Sequence, residues 1–265
     1  LFLYLLFPSD TVKTYIGHRL ADLSPEVSFA IDTLNPRIPP GLTVKNVDVT
    51  YQNSPAVTLN QFSVQPAYLS LLGAETAVNF NGRMADGTLS GRAGLKNKTG
   101  NSAIVSDVTF DGIELKNIPA LKTLSPHQFS GRAAGEIQFQ KQSGPWGTGS
   151  ATVRITECRV VLNQSIMGIG ELKFARIEAE AKIDKQQVKV AQIQFDGSMV
   201  SGSGKGTLQM RRPIENSRIN LSGTIKPHPE LLKSVGGLIP KRYLDEGGIP
   251  VRITGTLDRP DFAFR

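Results

Sequence analysis

The sequence has little of what most enzymes and metal proteins use. It contains one cysteine, one tryptophan and three histidines in 265 residues. The single cysteine, Cys158, excludes an intrachain disulfide, and no histidine lies beside it in the sequence to activate the thiol or share a metal. The histidines His18, His127 and His228 are far apart and lack the spacing of a metal site. We therefore expect no metal, no cofactor and no enzymatic activity.

The sequence also lacks an apolar run long enough to cross a bilayer. Its one wholly apolar stretch consists of Leu1, Phe2, Leu3, Tyr4, Leu5, Leu6 and Phe7. As a helix it would cover about 10 Å, whereas the hydrocarbon core of a bilayer is about 30 Å thick. We expect it to be the end of a longer membrane anchor, and the alternative is an ordinary helix start packed on the core.

An amphipathic helix is predicted directly after this run. Val12, Ile16 and Leu20 recur at helical spacing within residues 11–23, and Ser9 or Asp10 can cap the first turn. Such a helix fits a position just outside a membrane.

The net charge of +7 comes from 30 basic and 23 acidic residues, and the basic residues are scattered. An excess of positive charge can favour anionic lipid headgroups or acidic partners. The densest basic stretch, residues 226–242, has no aromatic residues interleaved in the way that single-stranded nucleic acid requires. We therefore expect no nucleic-acid partner.

From residue 27 onward, apolar residues alternate with polar ones in many short segments. The segments are residues 27–31, 42–49, 57–64, 76–80, 89–95, 104–110, 133–139, 151–161, 172–183, 188–195, 208–210, 219–225 and 251–257. A phase shift between Val44 and Val47 indicates a bulge or bend. Short strands joined by polar turns favour antiparallel pairing, because parallel strands need long crossovers. The predicted fold is all-β and mainly antiparallel, with one long curved sheet that is partly closed or groove-like.

Helix formers in residues 176–185 test this prediction. Ile177, Ala179, Ala181 and Ile183 fall at every second position, which indicates a strand with one charged face. Two other stretches, residues 118–124 and 229–243, interrupt the β pattern, and we expect them to form short helices or turns that cap the sheet.

Several segments share a step of an apolar residue, a serine or threonine, and a glycine, at Gly91, Gly131, Gly202, Gly223 and Gly255. A glycine inside a strand typically marks a bend or a close approach of two backbones.

The step that contains Gly202 resembles a phosphate-binding loop, since residues 202–207 read Gly-Ser-Gly-Lys-Gly-Thr. The first glycine of that motif would fall at Met199, and Pro213 prevents a long helix from following. We therefore interpret the segment as a bent strand.

Three groups of residues resemble the N protein family of bacterial type II secretion systems (GspN). They are the apolar run followed by Phe7, Pro8, Asp10, Val12 and Lys13; Pro39, Pro40, Gly41, Leu42, Val44 and Val47; and Gly248, Ile249, Pro250, Val251, Ile253, Thr254, Gly255, Thr256, Leu257, Pro260 and Phe262. The C-terminal group and the glycine steps also resemble the AsmA and TamB group of envelope proteins.

The secretion family implies a single-pass inner-membrane protein whose main domain lies in the periplasm. On this interpretation residues 1–23 are the end of the anchor and the juxtamembrane helix. Residues 24–265 are the periplasmic β domain, either undivided or built from two similar halves that meet near residues 140–150.

The implied function is that of an accessory component that acts by protein contacts, with other secretion-system envelope proteins and the inner membrane as partners. The alternative from the second group is a β groove that binds or conducts phospholipid. A lipid on the apolar face and a second copy of the chain both stay open as partners.

Overall fold

The computed structural model describes residues 7–23, 26–68, 70, 75–98, 101–142, 147–166, 168–235 and 248–264. Fourteen β-strands make up most of these residues. The strands are β1 (Val27–Arg37), β2 (Gly41–Tyr51), β3 (Ser54–Pro66), β4 (Glu75–Met84), β5 (Gly87–Lys98), β6 (Asn101–Glu114), β7 (Gln128–Lys141), β8 (Thr148–Ile166), β9 (Ile169–Asp184), β10 (Gln187–Gly197), β11 (Val200–Gln209), β12 (Arg218–Pro227), β13 (Ile249–Gly255) and β14 (Pro260–Phe264).

The strands form one antiparallel sheet in which the order in space follows the order in sequence. The predicted all-β antiparallel fold is therefore confirmed. The sheet is open, since β1 stands at one end of the strand order and β14 at the other. Short connections favour this order, because two residues, such as Gln52 and Asn53 between β2 and β3, suffice to turn one strand back along its neighbour.

The N-terminal helix α1 spans Ser9–Leu23 and begins two residues before its predicted start. Ser9 and Asp10 therefore lie in its first turn, where Asp10 pairs with Lys13 at 3.4 Å. Lys13 Nζ also donates to the main-chain oxygen of Asp32 at 2.9 Å. This bond ties the helix to β1, against which it packs.

The irregularity predicted between Val44 and Val47 lies at Asn46, which has a left-handed backbone conformation with φ of +49°. Pairing with β1 keeps its register across this point, from Thr33 opposite Lys45 to Ile31 opposite Val47. Asn46 Nδ2 donates to Asp32 Oδ2 at 3.2 Å. The strand thus bends at one residue without a shift of register.

Two short helices interrupt the sheet where the sequence predicts them. Helix α2 spans Pro119–Leu124, and helix α3 spans Pro229–Val235. Residues 236–243, which the prediction included with α3, lie outside the described residues. Short 3₁₀ turns occur at Leu115–Asn117 and Ile214–Asn216.

The chain divides into two compact units. Unit 1 comprises Leu1–Thr123 with Gln140–Ser143, and unit 2 comprises Leu124–Phe139 with Gly144–Arg265. Among the described residues, the buried apolar side chains of unit 1 are Leu34, Val47, Ala67, Ala77, Ala85, Ala103 and Ile113, and those of unit 2 are Ala133 and Cys158. In the described part of β9 to β14, no apolar side chain is buried.

Candidate interaction surface on strands β9 to β14

One side of β9 to β14 carries apolar side chains, and the other carries polar ones. We call the first side the apolar face. Its described members are Leu172, Phe174, Ile177, Ala179, Ala181, Ile183, Val188, Val190, Ile193, Phe195, Leu208, Ile219, Leu221, Ile225, Ile249, Val251, Ile253 and Phe262. The predicted strand at residues 176–185 is confirmed as the C-terminal half of β9.

Strand register aligns the apolar face into rows that cross the sheet. One row runs through Ala181, Val190, Gly206, Leu221, Ile253 and Phe262, each opposite the next. A second runs through Ile177, Phe195, Gly202, Ile225 and Ile249. Neither row contains a polar side chain. At about 4.8 Å between strands, the first row is about 24 Å wide, which is a continuous apolar surface.

The described residues cover the apolar face only in part. All of its described side chains are half-buried except Phe262, which is 61% exposed. By contrast, Ile113 in unit 1 is 2% exposed. Apolar surface left in water costs about 25 cal/mol per Å², and a contiguous patch of this kind usually marks a contact site.

Glycines in the middle of the apolar face leave space above the backbone, and neighbouring side chains fill that space. A Cβ at Gly202 would lie 2.5 Å from the Phe195 ring, and one at Gly206 would lie 2.9 Å from Leu221 Cδ2. The rings of Phe174 and Phe195 meet edge to face at a centroid distance of 5.8 Å. Residues 202–207 lie inside β11, which confirms that this segment is a strand.

The opposite side of β8 and β9 carries ion pairs between neighbouring strands. Arg154 Nε lies 2.7 Å from Glu178 Oε1, and Arg159 Nε lies 2.6 Å from Glu171 Oε1. The Arg154–Glu178 pair belongs to the charged face predicted for residues 176–185. Glu171 and Glu178 thus each have a basic neighbour on β8.

Cys158 packs inside unit 2 and is 3% exposed. Burial raises the pKa of its thiol above the ordinary value, because the thiolate would lose its water. A raised pKa makes the thiol a poor nucleophile. Cys158 lies in β8, so the strand predicted over residues 151–161 is confirmed.

The three histidines serve different local contacts. His127 Nδ1 accepts a hydrogen bond from the main-chain N–H of Asn163 at 3.2 Å, and His228 Nε2 lies 2.9 Å from Ser201 Oγ. His18 is exposed on α1. Within the described residues, no group of three or more histidine, cysteine or acidic side chains could hold a metal ion.

The predicted membrane anchor lies almost wholly outside the described residues, which exclude Leu1 to Leu6. Phe7 is described and is half-buried just before α1. No helix among the described residues is both long enough and apolar enough to cross a membrane.

Comparisons with protein-family models, with curated proteins and with solved structures find no match for this chain. The sequence patterns located the strands and their alternation. They did not predict how deeply the apolar side chains of β9 to β14 are buried. Alternation indicates which residues share a face and not what lies over that face.

Proposed function

We propose that the protein is a non-enzymatic accessory component of a type II secretion system, held at the inner membrane with its β domain in the periplasm. The apolar face of β9 to β14 carries the proposal, because it is a continuous apolar surface that the described chain buries only in part. The resemblance of three sequence groups to the secretion N family supplies the particular system.

A protein partner suits this surface on two grounds. Covering half-exposed aliphatic and aromatic side chains gives a favourable free energy without demanding a specific polar group. The last strand, β14, pairs with β13 along one side, so its other side offers main-chain groups to a strand of a partner. Phe262 stands on β14 itself, so the apolar face extends to that edge.

The experiment places a photoreactive amino acid on either side of the same strand. Ile183 lies on the apolar face of β9 and Lys182 on its polar side, so the two positions differ in orientation and little else. In a Gram-negative cell that produces the full-length protein, we expect adducts with other secretion-system proteins from position 183 and few from position 182. An absence of protein adducts from position 183, together with unimpaired export in a deletion strain, would contradict the proposal.

The second candidate function is phospholipid binding, which the absence of polar side chains from the rows of the apolar face favours. Acyl chains would cover such rows as readily as a protein would. Native mass spectrometry of the purified protein would then show retained phospholipid, and the photoreactive residue at position 183 would form lipid adducts. A lipid-free protein without such adducts would exclude this candidate.

A further inference from the structure

An open pocket lies against β10 to β13. Most of its lining residues belong to the polar side of these strands, and Val190 and Val251 of the apolar face line it as well. Its volume is about 650 Å³, within the size range of small-molecule sites. Three basic side chains line it, namely Lys189 on β10, Lys205 on β11 and Arg252 on β13. Gly206 and Gly223 also line the pocket.

Strand register brings these basic residues together. Lys205 lies opposite Ser222, and Ser222 lies opposite Arg252, so the three residues form one row. Lys189 lies opposite Thr207, which is two residues from Lys205 on the same strand. Diagonal neighbours of this kind have Cβ atoms about 7–8 Å apart, and lysine side chains easily span that distance.

Among the described residues, no carboxylate lines the pocket. In the part of the chain that the structure describes, Lys189 and Lys205 have neither a hydrogen-bond nor an ion-pair partner. By register, the acidic diagonal neighbours are Asp184, opposite Gln187 and so beside Lys189, and Asp261, opposite Thr254 and so beside Arg252; both lie outside the pocket lining. The pocket therefore has a net positive charge, unlike the paired surface of β8 and β9.

Polar groups that suit an anion surround the basic side chains. Asn220 Oδ1 accepts from Arg252 Nε at 3.3 Å and from Arg252 Nη2 at 3.1 Å. This contact holds the guanidinium plane in position and leaves its remaining donors available. The hydroxyl groups of Thr207 and Ser222 lie on the same lining and can donate to anionic oxygens.

We propose that this pocket binds a phosphate group. A guanidinium offers two parallel donors to a phosphate, lysines add point charges, and hydroxyl groups complete its hydrogen bonding. Neither the secretion function nor the lipid function of the apolar face is required for this site, because its basic side chains lie on the polar side of the strands. A soluble phosphate compound and a lipid headgroup both carry this group and share its chemistry.

Titration calorimetry of the purified protein with inorganic phosphate and with pyrophosphate tests the site. We expect binding that weakens as the salt concentration rises, because the contacts are charged and exposed. The triple variant Lys189→Gln, Lys205→Gln and Arg252→Gln should weaken the affinity at least tenfold. The single variant Arg252→Lys should weaken it less than Arg252→Gln, because it keeps the charge and loses the paired donors.

The control variant Lys45→Gln, Lys122→Gln and Lys173→Gln removes the same charge from exposed positions outside the pocket. It should bind phosphate as the unmodified protein does, and circular dichroism should show that both triple variants are folded. Equal weakening in the two triple variants would overturn the proposal, because it would show a response to net charge alone.

A parallel flotation experiment identifies the source of the phosphate. Vesicles of phosphatidylcholine with one third phosphatidic acid are compared with vesicles of phosphatidylcholine alone, using the same variants. Binding to the acidic vesicles that only the pocket variant loses would assign a lipid headgroup, and binding to soluble phosphates alone would assign a soluble compound. Absence of binding to phosphate, pyrophosphate and acidic vesicles would overturn the site, and would leave the photocrosslinking result for the apolar face unaffected.

Discussion

Phe195 on β10 lies directly opposite Gly202 on β11, and its ring occupies the space that a side chain at position 202 would need. Phe80 and Gly91 stand in the same relationship on β4 and β5 in unit 1. In both places a glycine lets an aromatic ring fold over the neighbouring strand. The glycine therefore contributes packing that no larger residue could supply at that position.

Gly202→Ala should destabilise unit 2. The added methyl group would meet both the Phe195 ring and the main-chain oxygen of Thr224, so either the ring or the strand must move. Overpacking of this kind typically costs about 1–3 kcal/mol. Urea unfolding followed by circular dichroism measures the loss.

The matched control for that substitution is Gly17→Ala on α1, where an added methyl group would meet nothing within 4 Å. Alanine favours a helix over glycine by about 1 kcal/mol, so this variant should be at least as stable as the original protein. An equal loss of stability in both variants would show that the Phe195 contact is not the cause.

Cys158 should react slowly with Ellman's reagent in the folded protein. The side chain is buried, and its raised pKa keeps the thiol protonated at neutral pH. The reaction rate should rise steeply as the pH increases beyond the ordinary thiol pKa of about 8.5, and it should rise at once when the protein is unfolded in urea.

A cysteine at an exposed position of the same strand provides the control for thiol reactivity. Ser165→Cys in a Cys158→Ala background places the thiol on the exposed part of β8. This variant should react rapidly at neutral pH, with little change on unfolding. Rapid reaction of Cys158 in the native protein would contradict its burial.

Asp258 should make the stability of the C-terminal turn depend on pH. The pKa of its carboxyl group lies below the ordinary value, first because the Thr256 hydroxyl donates to it and also because Arg259 is nearby. A lowered pKa in the folded state means that the stabilisation is complete above the unfolded pKa of about 3.9. It is lost as the pH falls through the lower folded value.

Thr256→Val keeps the branched shape and removes the hydroxyl donor. It should lower the urea midpoint at pH 7, and the difference from the original protein should shrink as the pH falls toward 2. In an Asp258→Asn background the same substitution should lose this pH dependence. A difference that stays constant with pH would assign the effect of Thr256 to packing.

Most of the strands could be predicted because a sheet with one apolar and one polar side makes apolar and polar residues alternate. This alternation can be read locally in the sequence. In the C-terminal half of β9, the apolar residues have a period of two although Ala, Glu and Lys favour helices. Pairing with the neighbouring strands outweighs this helix propensity. Strand β14 was not predicted. It has only five residues and begins at a proline, so its local sequence is too short to predict a strand. Its pairing with β13 holds it in the extended conformation.

The basic pocket could not be predicted from the sequence because its members come from separate strands. Lys189 and Arg252 are 63 positions apart, and only the pairing of β10 with β11, of β11 with β12, and of β12 with β13 brings them to one side. In the sequence, Lys205 is part of a segment that resembles a phosphate-binding loop. In the structure, its side chain lines a pocket formed by strands.

The same substitution in two places tests whether the apolar face is uncovered. Ile113→Ala removes a side chain that is 2% exposed in unit 1 and should cost about 2–5 kcal/mol, as large-to-small changes in a packed core do. Ile193→Ala removes a half-buried side chain of the apolar face and should cost well under half as much, because its surroundings are already in contact with water. Urea unfolding of the two purified variants measures both losses.

If Ile193→Ala proved as costly as Ile113→Ala in the isolated protein, the apolar face would already be covered and would no longer be available to a partner or a lipid. If the cost of Ile193→Ala rose only when the partner identified by photocrosslinking was added, the added loss would measure how much of the face that partner buries.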